Sequence, residues 1–131
     1  MTKGSYRSLL EQLIQNQKET YKTSCECDID PDEKLETISA LVKMNVYRIL
    51  QETLNNINKH AKATKISLSL YIENNCLRLK IQDNGVGFNV SKSKNGIGLR
   101  NMTSRAEAIN GKLEVDSEVN KGTTVCLKVD L

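Results

Sequence analysis

The chain of 131 residues contains no tryptophan, one phenylalanine and four tyrosines. So few rings leave little material for a base-stacking platform, and nineteen Lys and Arg against sixteen Asp and Glu give a net charge of only +3, dispersed along the sequence. Nucleic acid is therefore not an indicated partner. No apolar run approaches the roughly 18 to 20 residues that cross a bilayer, and the opening MTKGSYRSLL lacks the charged, apolar and small-residue regions of a signal peptide. These absences predict a soluble, cytosolic segment without direct membrane contact. Four cysteines, Cys25, Cys27, Cys76 and Cys126, include a C-x-C but no C-x-x-C, and the single histidine, His60, is far from the C-x-C pair in sequence. Three of the cysteines fall in segments that read as strands, which favours reduced thiols packed as small hydrophobes over a zinc site. Internal repeats, low-complexity tracts, the pattern G-x-x-x-x-G-K-[ST] and the dinucleotide pattern G-x-G-x-x-G are absent too.

What is present is the composition of a folding domain. With 38% hydrophobic and 27% charged residues, the chain falls outside the disordered and fibrous classes, and its length fits a single domain over 1–131. Residues 5–20 carry Leu9, Leu10, Leu13 and Ile14 at helical spacing, and TSCECDI after them suits a short strand. Asp30, Pro31 and Glu33 read as an N-cap, a first-turn proline and a carboxylate three residues on. The helical pattern then runs to Ala61, with a break expected at Ser39 before Leu41, Val42, Val46, Ile49 and Leu50. Residues 64–72 and 76–83 alternate as a hairpin around Glu73, Asn74 and Asn75. A glycine-rich stretch over 84–98 leads into a helix bearing Leu99, Met102, Ala106 and Ile109, ended by Asn110 and Gly111. Leu113 and Val115 belong to one strand, and Val125, Leu127, Val129 and Leu131 to another, across the turn Asn120, Lys121, Gly122. The sum is an α+β sandwich, with helices over one face of a mostly antiparallel sheet.

Three places in this pattern carry candidate chemistry. At about 100° per residue, Val46, Leu50, Thr53, Leu54, Ile57 and Ala61 make the apolar arc of the middle helix, and Glu52, Asn56, Lys59 and His60 border it. An amide oxygen on Asn56 with Glu52 one turn earlier suits a hydrated Mg²⁺, and Lys59 and His60 could face the same phosphates; an ordinary solvated helix face is the alternative. The alternation Leu77, Leu79, Ile81 continues onto Asp83, delivering a carboxylate to the buried face, where it needs a donor such as the exocyclic amine of a purine. Otherwise Asp83 and Asn84 cap a tight turn facing water. Gly85, Gly87, Gly96 and Gly98 follow within fourteen residues, with Lys92 and Lys94 between them, and Gly98 runs into the helix that opens at Leu99. A helix N-terminus preceded by glycines suits phosphate.

Taken in order, QETLNNINKHAKA, DNGVGF, GIGLRNM and KGTTV closely resemble the N, G1, G2 and terminal Gly-Thr motifs of the GHKL ATP-binding fold. The segments VYRILQETLNNINKHA and GIGLRNMTSRAEAINGKLEV look like those of the bacterial sensor histidine kinases that signal to NarL-type response regulators. The resemblance implies a two-layer sandwich with a mixed sheet of about five strands under about three helices. Asn56 would then coordinate Mg²⁺ between protein and ATP phosphates, Glu52 would polarise water or assist the metal, and Lys59 and His60 would lie near the phosphates. Asp83 would accept a hydrogen bond from the adenine amine, Gly85 and Gly87 would shape the adenine pocket, and Thr123 would sit behind the base, its strand parity pointing inward. Gly96 and Gly98 would belong to a lid over the phosphates, with Leu99 opening the helix below it. The implied activity is donation of the γ-phosphoryl group of Mg·ATP to a histidine on a separate pair of dimerisation helices, and thence to a NarL-type regulator. His60, inside the nucleotide stripe, is the wrong histidine to accept it. The same resemblance makes the chain an excised part of a longer, membrane-tethered kinase, with 1–23 an N-terminal helix and linker from the dimerisation region. Rival readings are a free-standing GHKL serine kinase of the anti-sigma-factor type and a nucleotide-binding module without catalysis.

Overall fold

The computed structural model describes residues 4–87 and 99–131. Helix α1 (Tyr6–Tyr21) starts at Ser5, whose hydroxyl accepts the Ser8 N–H at 3.1 Å, and ends at Lys22 in the left-handed region. Of its apolar residues Tyr6, Leu10 and Ile14 are buried, whereas Leu9 is exposed and Leu13 only partly covered. The stripe toward the core is thus one residue in four, narrower than the leucine spacing suggests.

Strand β1 (Ser24–Ile29) follows and is extended past its end by Asp30, whose N–H reaches Leu70 O at 2.9 Å. Asp30 does not cap the next helix: its carboxylate accepts the Ile72 N–H at 2.7 Å, and Pro31 takes the N-cap position of the one-turn helix α2 (Asp32–Leu35). The extended backbone that proline imposes on the residue before it suits a strand end as well as an N-cap, and here the Ile72 N–H takes the carboxylate. Ser39 does make the expected break. Its hydroxyl caps α3 (Ala40–Asn56), accepting the Val42 N–H at 3.2 Å. Leu41, grouped with the core by its position, is exposed, and Val46, Ile49, Leu50 and Leu54 carry the packing. Rather than stopping, the helix widens into a π-helical turn over Ile57–Ala61.

Strands β2 (Lys65–Glu73) and β3 (Cys76–Asp83) form the hairpin, with Glu73 paired to Cys76 so that only Asn74 and Asn75 lie in the turn. Both have positive φ, 53° and 58°, as a type I′ turn demands and asparagine tolerates. Helix α4 (Leu99–Glu107), β4 (Gly111–Ser117) and β5 (Thr123–Asp130) complete the chain; Leu131 lies beyond β5 and is exposed. The sheet order is β1-β2-β3-β5-β4, with β1 and β2 parallel and every other pair antiparallel. All four cysteines lie on strands and are free.

This is an α+β sandwich with a five-stranded mixed sheet and four helices among the described residues, one of them a single turn. Ile66, Leu68 and Leu70 on β2, Leu77, Leu79 and Ile81 on β3, and Val125, Leu127 and Val129 on β5 face the helices, and their alternates face solvent. Each fully buried aliphatic side chain contributes about 1.5 to 3 kcal/mol, so these nine positions fix which face the helices cover. Asp83 is the last residue of β3 on that same face, and the core ends there.

Candidate functional site

At the ends of β3 and β5, helices α3 and α4 part from the sheet and leave a narrow cleft of about 30 Å³. The walls are largely apolar: Ile57, Ile81, Leu99, Met102 and Val125 contribute, as does Val115 from β4. Asp83, 5% exposed, stands in that wall. Its carboxylate Oδ1 accepts the Gly85 N–H at 2.7 Å. Burial pushes the Asp83 carboxyl above its ordinary value, and the backbone N–H groups of Gly85 and Thr123 draw it part of the way back. The cleft therefore holds an acceptor short of full solvation, ready for a donor on an incoming molecule.

Asp83 makes the local turn bond, to the N–H two residues on, whereas Asn84 ties to the start of β2. Its side-chain oxygen accepts the N–H groups of Thr64 and Lys65, each at 2.9 Å, and its Nδ2 donates to the Thr64 hydroxyl at 2.9 Å. The two side chains of the Asp-Asn pair thus point opposite ways, as strand parity requires. Gly85 then passes so close to Ala61 that a Cβ would strike the Ala61 carbonyl, while Val86 N–H binds that same oxygen at 2.7 Å. Gly87 has φ +66°, and a Cβ there would strike the Glu118 carbonyl. These two glycines let the segment after β3 lie flat against the end of the π-helical turn, and Gly87 itself lines the cleft.

On the opposite wall Thr53, Asn56, Ile57, His60 and Ala61 face the same space. Asn56 is half-buried and His60 exposed at its rim. Glu52, Lys59 and Gly85 are not among the lining residues. The lining positions 53, 56, 57, 60 and 61 keep helical spacing, and Lys59 falls off that stripe as Glu52 does. Glu52 lies one turn before Asn56 on α3, half-buried and beside the cleft rather than in it. Thr123 reaches the cleft from β5, its hydroxyl 2.7 Å from that of Ser117. Asn56, His60, Asp83, Gly87, Leu99 and Thr123, dispersed over 68 residues of sequence, are thus brought to one cavity.

Residues 42–131 match the family described as histidine kinase-, DNA gyrase B- and HSP90-like ATPases. The chain belongs to that family. Among curated relatives, the sensor histidine kinase LiaS of Bacillus subtilis is 42% identical over 105 residues, covering 79% of this chain and 29% of LiaS. The oxygen sensor histidine kinase NreB of Staphylococcus carnosus is 36% identical over 102 residues, 76% of this chain and 27% of NreB. The chain thus spans less than a third of the length of these relatives. Among solved structures, the histidine kinase domain of the blue-light activated kinase EL346 of Erythrobacter litoralis superposes with a TM-score of 0.79 at 16% identity, covering all of this chain and 65% of that one. The Acinetobacter baumannii histidine kinase AdeS gives 0.73 at 17%, over 96% and 64% of the two chains. At these identities the structures speak for the fold alone.

Were Mg²⁺ to bind at this end of the cleft, the Asn56 amide, which lines it, and the Glu52 carboxylate, one turn earlier on α3, are the oxygen groups that would hold it. Hard oxygens in small number suit an ion that keeps several waters and takes further ligands from phosphate. Gly96, Gly98, Lys92 and Lys94 lie outside the described residues. Seven of the lining residues were not foreseen from sequence, Thr53 and Met102 among them. Thr53 and Met102 meet across the cleft floor, the threonine hydroxyl 3.4 Å from the methionine sulfur while donating to Ile49 O at 2.8 Å. Both sit at core positions of their helices, so periodicity marks them as packing and nothing in the sequence marks them as lining.

Proposed function

We propose that the domain binds Mg·ATP in this cleft and supplies the γ-phosphoryl group to a histidine on the dimerisation helices of a two-component sensor kinase, which passes it to a response regulator of the NarL type. The observation that supports the reading is that Asp83 and Asn56 open onto the same cavity from opposite walls. Asp83 receives the adenine amine at the apolar end, with Thr123 behind the base and Gly85 and Gly87 shaping its edge. Asn56 and His60 take the phosphate end, where Mg²⁺, held by Asn56 with Glu52 assisting, offsets charge on the transferring group. Leu99 closes the wall below the phosphates, and Lys59 supplies positive charge from outside the cleft. Positioning and charge neutralisation are most of what phosphoryl transfer needs, and the nucleophile comes from the separate helices, acting in the cytoplasm over a domain whose remaining segment, 1–23, leads in from them.

Isothermal calorimetry with Mg·ATP tests this directly. Asn56→Ala should lower Mg·ATP affinity at least tenfold while the melting curve stays cooperative; undiminished affinity overturns the assignment. Incubating the domain with radiolabelled ATP and candidate dimerisation helices should label a histidine on the helices. Label on a serine of a partner would instead make this a serine kinase.

A further inference from the structure

Gln17, near the C-terminal end of α1, is only 2% exposed, an uncommon place for a side-chain amide. Its Nε2 donates to the Thr23 hydroxyl at 3.0 Å and to Asn58 Oδ1 at 2.7 Å, and its Oε1 accepts from Asn58 Nδ2 at 3.0 Å. The two amides therefore bond reciprocally, each both giving and taking, across 41 residues of sequence. Asn58 is the second residue of the π-helical turn. Asn56 precedes it by two positions and His60 follows it by two.

A π-helical turn is rare because it widens the ring closed by each backbone bond, and something must favour it over the α-helix that could continue through the same residues. At its far end the turn is held by Val86 N–H on the Ala61 carbonyl, 2.7 Å. Near its start the only side-chain hydrogen bonds tying it to another element, among those formed by its own described residues, are the two between Asn58 and Gln17. In an α-helical continuation each residue after Asn56 would advance further around the axis. Asn58 would swing off Gln17, leaving a buried amide without its partner, and Lys59 and His60 would both turn relative to the cleft.

We propose that Gln17 and Asn58 are positioning residues for the nucleotide site: their amide pair holds the π-helical turn in register, which keeps His60 at the cleft rim. The inference rests on the reading of this cleft as the Mg·ATP site. It also gives α1 a role in that site. No residue of α1 lines the cleft; beside its core packing and the Tyr6 hydroxyl on Lys43 O of α3, this pair of side chains links α1 to the turn that carries His60. The base end is held separately, by Asp83 on β3.

His60 is the only histidine in the chain, so its ring proton signals in NMR are single and identify themselves. Gln17→Leu combined with Asn58→Leu replaces both amides by apolar groups and strands neither; Gln17→Asn combined with Asn58→Gln rebuilds the reciprocal pair with its members exchanged. In the nucleotide-free protein at fixed pH, the leucine double variant should move the His60 ring signals, and the exchanged pair should return them toward the parent. In calorimetry the leucine variant should bind Mg·ATP at least fivefold more weakly yet bind adenosine within twofold of the parent. A folded leucine variant whose His60 signals and Mg·ATP affinity match the parent overturns the proposal, and so does equal weakening of Mg·ATP and adenosine, which would make the pair merely structural. Should the leucine variant fail to fold, Asn58→Asp, which keeps one of the two bonds, is judged by the same two readings. A parent that binds no Mg·ATP would remove the cleft assignment instead, while the His60 signals would still report whether the pair sets the turn.

Discussion

Asp83 concentrates the residue-scale physics of the cleft. A carboxylate at the end of a strand is ordinary; one that is nearly inaccessible, in an apolar wall, with a backbone N–H on one oxygen, is not. Because burial raises its folded-state pKa above the ordinary 3.8, the free protein binds this proton more tightly than the unfolded chain does. The stability this gives is complete below that ordinary value and is lost as pH rises through the raised one. Asp83→Asn removes the penalty of the buried charge, so the nucleotide-free variant should melt higher than the parent at neutral pH, and the two curves should converge in acid. Recognition should move the other way. A hydrogen bond to a charged acceptor contributes about 1.5 to 3 kcal/mol, so the same variant should bind ATP roughly 10- to 100-fold more weakly and lose its preference over GTP. A variant that melts lower and still prefers ATP would show that Asp83 is a structural acid. In the parent, ATP affinity should fall as pH drops through the raised Asp83 value, since the protonated acid no longer offers the same acceptor.

At the scale of elements, helix α3 is the member that joins core to site: one face buries Val46, Ile49, Leu50 and Leu54, and its end presents Asn56. Its start is set by the Ser39 hydroxyl, and loss of such a cap costs about 1 kcal/mol. Ser39→Ala should lower stability by about that amount in urea unfolding, with the denaturant slope unchanged and ATP affinity preserved. Much of this architecture was legible beforehand. Strict alternation along β2, β3 and β5 gave the strands and, carried one step further, the burial of Asp83; Ser39 gave the helix break. What escaped notice had no periodic trace. The π-helical turn leaves the spacing of Ile57 and Ala61 almost as an α-helix would, so nothing in the pattern announces it. The Gln17–Asn58 pair joins two polar residues that each look like solvated positions on their own helices. Leu9 and Leu41 failed in the opposite sense, being apolar residues for which the small core has no room. Asp30 was claimed by a neighbouring strand through the Ile72 N–H, a long-range partner that the local capping pattern does not reveal.

Seen whole, the molecule is a sheet with one covered face and one wet face, and the cleft sits where the covering helices run past the ends of β3 and β5. That placement joins folding to function at one end, since Ile81 and Val125 belong to the nine inward aliphatic positions and also wall the cleft beside Asp83. Among the described residues no helix is long and apolar enough to cross a membrane. The direction of β1 carries one more consequence. Strands β2 and β3 are neighbours across a two-residue turn, but β1 pairs with β2 in parallel, so its partner arrives only after the chain between Asp30 and Thr64 has been gathered up. Closing so long a loop comes at an entropic disadvantage that local contacts do not face. In a refolding experiment with pulsed deuterium labelling, the amides of Ser24 and Asp30, bonded to Thr64 and Leu70, should become protected later than those shared by the hairpin. Synchronous protection would show instead that the border strand is in place when the nucleus forms. If it does dock late, the same border is where the finished sheet should first come unzipped under load.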